Sequence, residues 1–327
     1  MGTFVVSLDF ELHWGVRDHR TVADYRENLL GVRRVVPALL ELFSEYGIRA
    51  TWATVGFLFF ESKDELMSAL PKERPAYADK RLDPYSALDE VGENESSDPF
   101  HFAPTLIRLI KDAPEQEIAT HTFSHFYAMA AGPSLESFRA DIRLAIATGR
   151  RFGVEIKSIV FPRNQVTSDH VRICAEEGLT AYRGVESDPL VAAGRGVVAR
   201  AKRFVDSYVD LAGPGCGVAK ETDGLGVVSV PQSRFLRPYD PGSSSLDGLR
   251  LRRILTSMTF AAQNQTLFHL WWHPHNFGKN MDQNISFLRS ILDHYKKLEG
   301  KFDFHSATMA EVSERVLASL GTRCQVS

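Results

Sequence analysis

The segment His121-Thr122-Phe123-Ser124-His125 carries the strongest chemical signal in the chain. If a helical turn begins at His121, histidines four apart lie on one face, and two imidazoles so placed can hold one divalent metal ion. The competing reading is a capping segment with two surface histidines. Asp9 and Glu11 favour the metal. They end an apolar run, Phe4 to Asp9, where period-two alternation turns both carboxylates to one side. Two acids at the end of a buried strand are costly unless paired or metal-bound, so a third, oxygen ligand is available. A further cluster runs from Phe268 to Phe277. There His269, Trp271 and His273 alternate to one face, which makes His273, beside Pro274, a candidate proton donor, while His269 and His275 read as core or capping histidines. In Phe161-Pro162-Arg163-Asn164-Gln165, Arg163 could hold a carboxylate through its planar fork, or form an ordinary surface ion pair.

Positioning these groups together requires strand ends that converge. Short runs rich in Val, Ile, Phe and Thr alternate with amphipathic helical stretches, the rhythm of βα units around a mostly parallel sheet. Candidate strands are Phe4 to Asp9, Arg49 to Val55, Glu117 to His121, Ser158 to Pro162, Thr180 to Arg183, Gly226 to Pro231 and Thr266 to Trp272, with Phe302 to His305 as an edge strand or a lead into the last helix. Helices are expected over Asn28 to Tyr46, stopped by Gly47, and from an N-cap at Ser134 to Gly153. Shorter ones cover Asp169 to Glu177, Leu246 to Ala262 and Ile285 to Leu298. Glu61 to Pro104, with several prolines and many charges, is an irregular insertion of the kind used as a lid or a flexible loop. Leu211 to Gly226 is a Gly-rich loop, and no linker divides the chain, so residues 1–327 read as one domain.

Composition narrows the function classes. The 327 residues carry 38 Lys plus Arg against 41 Asp plus Glu, a net charge of -3, so no concentrated basic surface recommends nucleic acid as a partner. Cys174, Cys216 and Cys324 form no C-x-x-C pair, which fits a reducing compartment without a disulfide framework or thiolate zinc site. The N-terminal apolar run meets Asp9 at once and the longest uncharged window is too polar to span a bilayer, so the protein is expected to be cytoplasmic with no integral membrane segment.

Taken together, the four strand ends resemble the polysaccharide deacetylase family, hydrolases that share the NodB homology domain and a distorted seven-stranded (β/α) barrel. His121 to His125 matches the family's H-[ST]-x-x-H motif. Ile48 to Gly56 is similar to its second strand, Gly178 to Arg183 to the strand after its arginine motif, and the likeness runs from about Thr3 to Ala310. Two departures stand out: Asp9-Phe10-Glu11 replaces the usual adjacent Asp-Asp, as in divergent Asp-x-Glu branches, and Pro162 precedes Arg163 instead of following it.

The resemblance implies a single α/β barrel domain and metal-assisted hydrolysis of an N-acyl group. Glu11, His121 and His125 would hold one divalent ion, zinc first, with nickel, cobalt or manganese suiting the same shell. Asp9 would be the base, Arg163 would hold Asp9 ionised and aimed, and His273 would protonate the departing amine, with His275 its rival. Trp14 and Trp272 are the expected sugar contacts, with His275 as a further substrate-binding residue, whereas Trp52 and Trp271 are expected to pack in the core. The implied substrate is an N-acetylated or N-formylated amino sugar, nucleotide- or lipid-linked, from surface polysaccharide or lipopolysaccharide assembly. Two alternatives share the motifs: an amide hydrolase of cyclic imide or allantoin type, and a non-catalytic carbohydrate-binding relative.

Overall fold

In a computed structural model, residues 1–185 and 197–324 are described. Ten strands form one curled sheet: β1 (Gly2–Phe10), β2 (Ala50–Thr54), β3 (Glu117–Thr120), β4 (Ser158–Ile159), β5 (Ala181–Gly184), β6 (Lys220–Glu221), β7 (Val228–Pro231), β8 (Arg234–Phe235), β9 (Leu267–Trp272) and β10 (Phe304–Ser306). Their order is β6-β7-β5-β4-β3-β2-β1-β9-β8, with β10 beside the start of β1. Every pairing is parallel except β6 with β7. Pairing thus counts ten strands where seven were expected. The two-residue strands β6 and β8 were not foreseen, because segments that short carry no periodicity. The sheet's two ends come together at one segment: Gln232 N–H donates to Gly184 on the β5 side, and Ser233 N–H donates to His269 on the β9 side.

Parallel strands covered on both faces read as near-continuous apolar runs, and β1 is such a strand. Its outward residues join the main core beneath the helices. Its inward Val5 meets Ala53, Ala119, Val160, Ala181, Val228, Val230 and Leu267 from the neighbouring strands and their ends, and Ala307, Met309 and Val312 cover this inner cluster from the C-terminal segment. One end of the curl is therefore packed shut. The opposite, C-terminal end of the parallel strands carries the polar residues, as in other parallel α/β folds.

The helices follow their local signals. α1 (Val22–Tyr46) starts nearly two turns earlier than its apolar stripe suggests, at the side-chain cap of Thr21, and ends on Gly47 in the left-handed conformation. The helix Leu135–Arg151 has the Ser134 cap, closed reciprocally by Ser137. The insertion from Glu61 to Pro104 is built of short pieces, among them the helix Lys63–Ser68 and two 3-10 turns, closed by a bridge between Ser62 and Asn94. Its Tyr77, Leu88, Val91 and Phe102 are buried. Among the described residues no helix is long and apolar enough to cross a membrane.

Candidate active site

Asp9 lies in the last turn of pleat of β1, and Glu11 sits just beyond it, before a 3-10 turn, Leu12–Gly15. Both carboxylates are buried. Gly15 makes room for Glu11: a methyl group there would stand 1.8 Å from the Glu11 carboxyl carbon.

His121 continues the line of β3, its N–H bonded to Thr54 of β2. The expected helical turn does not follow. Thr122 and His125 adopt φ of 65° and 57°, so the segment is an irregular loop that turns both imidazoles toward β1. Such conformations cost non-glycine residues about 1 kcal/mol or more and persist where surroundings over-determine them. Here the surroundings do. The buried Asp141 carboxylate accepts from the backbone N–H groups of Phe123 and Ser124 and from the Ser124 hydroxyl, Thr122 Oγ1 accepts from Phe126 N–H, and Gly56 and Phe57 donate to the carbonyls of Thr122 and Phe123.

The result is a buried cluster of Glu11, His121 and His125, with one ligand atom from each lying within 4.8 Å of the others. Glu11 Oε2 is 3.2 Å from His121 Nε2 and 3.0 Å from His125 Nε2. Nδ1 of His121 lies 2.7 Å from the Val160 carbonyl, which can only accept, so Nδ1 carries a proton and Nε2 is the nitrogen placed to bind a metal ion. A carboxylate oxygen at contact distance from that nitrogen needs either a proton or a metal ion between them. Burial drives the His125 pKa down despite its contact with Glu11, so the neutral ring is favoured there. Burial raises the Glu11 carboxyl, but the neighbouring imidazoles outweigh it and hold Glu11 well below the usual carboxylate range. One oxygen and two nitrogen donors of this kind suit a zinc-like divalent ion.

Asp9 is treated differently. The expected partner was Arg163, but the guanidinium on Asp9 belongs to Arg183, at the end of β5. Its Nη1 and Nη2 donate to Oδ1 and Oδ2 at 2.6 and 2.8 Å, a bidentate pair with Arg183 only 1% exposed. Asn164 Oδ1 and Ser7 Oγ take further N–H groups of Arg183, and the guanidinium lies 4.1 Å above the Trp271 ring. Burial alone would raise the Asp9 carboxyl. Arg183 and the nearby histidines reverse that and leave it lowered. Arg163 adopts φ 55°, which turns its side chain away to pair with Asp18 and to lie 4.4 Å over the Tyr127 ring. Sequence reasoning missed Arg183, although an arginine closing an otherwise apolar strand was a usable signal.

His273 follows β9 directly, its Nε2 3.7 Å from Asp9 Oδ2 and 3.5 Å from Glu11 Oε1. His275 stacks on it at 5.1 Å, with Nε2 4.0 Å from Glu11 Oε1, and is buried; burial and His273 push its pKa down to about 3. His275 therefore belongs to the site, against the core or capping reading. The turn that carries it meets α1 closely: a methyl on Gly278 would lie 2.0 Å from the Asn28 carbonyl oxygen. His269 lies deeper, bonded to Ser7 Oγ at 2.7 Å, and is the core histidine expected.

Asp9, Glu11, His125, His273 and His275 line a cavity of about 410 Å³ bounded also by Gly15, Val16, His19, Arg20, Tyr25, Arg163, Asn164, Phe235, Trp271 and Asn276. The two expected sugar contacts are not in it. Trp14 and Trp272 are both 0% exposed, the first bonded to the His101 carbonyl and packed on Phe57, the second stacked on Phe277. Trp271 and Phe235 form the aromatic wall instead. Since neighbouring strand residues face opposite ways, Trp271 shares the face of His273 and Trp272 cannot.

No protein-family model matches the sequence, and no curated protein matches it either. Solved structures do resemble the fold. A Mycobacterium smegmatis protein provisionally assigned as a polysaccharide deacetylase aligns over 97% of this chain and 90% of its own, with a TM-score of 0.61 at 15% identity. The allantoinase Puue aligns over 95% and 89%, with a TM-score of 0.55 at 10% identity. A 4-alpha-glucanotransferase from Thermococcus litoralis aligns over 95% of this chain and 40% of its own, with a TM-score of 0.54 at 12% identity. The class defined at this level is an α/β fold of the NodB-like barrel kind, common to deacetylase and allantoinase structures.

Proposed function

We propose that the protein is a metal-dependent hydrolase that removes an N-acyl group, acetyl or formyl, from an amino sugar. The observation that carries this reading is the pairing, in one cavity, of an ionised carboxylate locked by an arginine (Asp9 with Arg183) and a Glu-His-His cluster that calls for a cation. The shared fold with a deacetylase and an allantoinase supports the same reaction class by analogy.

Glu11, His121 and His125 would hold a divalent ion, zinc by preference, which would supply Lewis-acid chemistry to the acyl carbonyl and to water. The chain's own residues do the rest. Asp9 accepts the water's proton as the new C–O bond forms, and Arg183 keeps Asp9 ionised and fixes both of its oxygens. His273, beside both carboxylates, gives a proton to the nitrogen as the C–N bond breaks, so the products are a carboxylic acid and a free amine. His275 keeps His273 stacked in place. Trp271 and Phe235 offer an apolar face for the sugar ring.

The substrate on this reading is an N-acylated amino sugar, carried on a nucleotide or lipid in surface polysaccharide assembly. The test is to incubate the zinc-supplemented protein with N-acetylated and N-formylated amino sugars and with allantoin, following acid release and amine formation. Acid release in step with a free amine is expected from a sugar and is lost in Asp9→Asn. Turnover of allantoin alone would replace the reading by that of a ureide hydrolase, and no turnover of any substrate would favour a binding protein.

A further inference from the structure

Above the catalytic floor, the cavity has a rim of a different character. Arg20, from the loop before α1, and Arg163, from the turn after β4, both line it and both are exposed. Arg20 has no ion pair among the described residues, and Arg163 has one, with Asp18. Asp18 is itself shared, its other oxygen taking His19 Nδ1 at 2.8 Å. With two arginines against one carboxylate, the rim keeps a net positive charge, whereas on the floor Arg183 balances Asp9 and Glu11 lies against the histidines. Arg163 also holds a left-handed backbone, followed by Asn164 at φ 51°, where glycine would be unstrained. The strained turn presents the Arg163 guanidinium at the mouth, on the Tyr127 ring, with donor groups left over after Asp18 is served. Trp271 and Phe235 supply the wall between rim and floor.

We propose that this rim is an anion subsite: Arg20 and Arg163 bind a phosphate or carboxylate carried by the same sugar whose N-acyl group reaches the floor. The proposal deepens the hydrolase reading by assigning an acidic sugar as substrate, and it rests on that reading for the position of the acyl group. Arginine suits the task because its fork matches either anion in a bidentate way.

Binding separates the two ideas, because affinity needs no turnover. Calorimetric Kd values are measured at low salt, on the full chain, for neutral N-acetylglucosamine, N-acetylglucosamine 1-phosphate, N-acetylgalactosaminuronic acid and inorganic phosphate. The proposal expects at least one acidic sugar to bind tenfold or more tighter than the neutral one, and tighter than inorganic phosphate. The phosphate and uronate arms identify which anion is used. In Arg20→Glu, at a site exposed enough to leave the fold intact, that ratio falls to one or below. Arg163→Ala lowers it about tenfold, and Arg163→Lys restores part of it. A ratio near one in the parent protein, or a ratio untouched by Arg20→Glu and Arg163→Ala, would overturn the subsite. A preserved ratio without acyl release from any sugar would keep the subsite and sink the hydrolase reading instead.

Discussion

Asp9 and Glu11 are two residues apart on one strand end, yet their surroundings give them opposite needs. Asp9 faces donors: two arginine N–H groups close its oxygens, and Arg183 is itself held by Ser7 and Asn164. Glu11 faces two imidazole nitrogens at about the separation of a hydrogen bond, one on a ring whose Nδ1 proton is held by the Val160 carbonyl. A carboxylate with a cation already beside it is free to act as a base, whereas one set between two imidazole nitrogens is placed to share a metal ion with them. Two like groups receive two roles from their partners, the way environment divides labour between paired carboxylates elsewhere.

The largest effect expected from breaking this contrast is on turnover. Asp9→Asn keeps the shape and removes the base, and a loss of about 10²–10⁴-fold in kcat is expected, with affinity for substrate largely kept. Next comes Arg183→Met, which leaves Asp9 buried without its counter-charge. Thermal or denaturant unfolding should show a loss of about 3–5 kcal/mol. The same change at Arg163, which is 38% exposed and paired at the surface, should cost no more than about 1 kcal/mol. Equal costs would mean that the two arginines are not divided as described. Gly15→Ala presses on the Glu11 carboxyl alone, and zinc affinity measured by competition with a chelator should fall about 10–100-fold while the Asp9 pair stays intact.

The smallest effect concerns the support of the histidine loop. Burial pushes the Asp141 carboxyl up to about 6, against the hydrogen bonds from Phe123 and Ser124 that favour its ionised form. A carboxyl raised in the folded state binds its proton more tightly there than in the unfolded chain, whose value is near 3.8. Its contribution to stability is therefore full below about pH 4 and is lost as pH rises to about 6. Asp9, lowered on folding, has the opposite sign: its contribution is present above the unfolded value and is lost as acid protonates it. Comparing the stability of the parent and Asp141→Asn between pH 4 and 6 should show a falling contribution that the variant lacks.

Much of this site was legible in the sequence. The motif His121 to His125, the acids at the end of β1 and His273 beside Pro274 all arrive in one cavity, because apolar runs fixed the strands and parallel strands present their C-terminal ends together. Partner choice was harder to read. Whether Arg163 or Arg183 reaches Asp9 turns on the sign of one φ angle at Arg163, which its side chain does not advertise. The histidine pair does converge on Glu11, but for another reason: the spacing works through a loop with two left-handed residues and not through a helical turn. The aromatic assignment failed by one residue. The alternation that turned His273 inward also turned Trp271 inward, and applying it throughout would have sent Trp272 to the core, where it packs. Trp14 lies within a 3-10 turn whose direction periodicity does not encode.

The central claim is that Glu11, His121 and His125 hold one divalent ion while Asp9 does not. Elemental analysis of the parent, Asp9→Asn, Glu11→Gln and His121→Ala, each dialysed against zinc and then against buffer, tests it directly. One equivalent of metal in the parent and in Asp9→Asn, with little or none in the other two, is the predicted pattern. A parent protein that retains no metal, or an Asp9→Asn variant that loses it as fully as Glu11→Gln, would contradict the account.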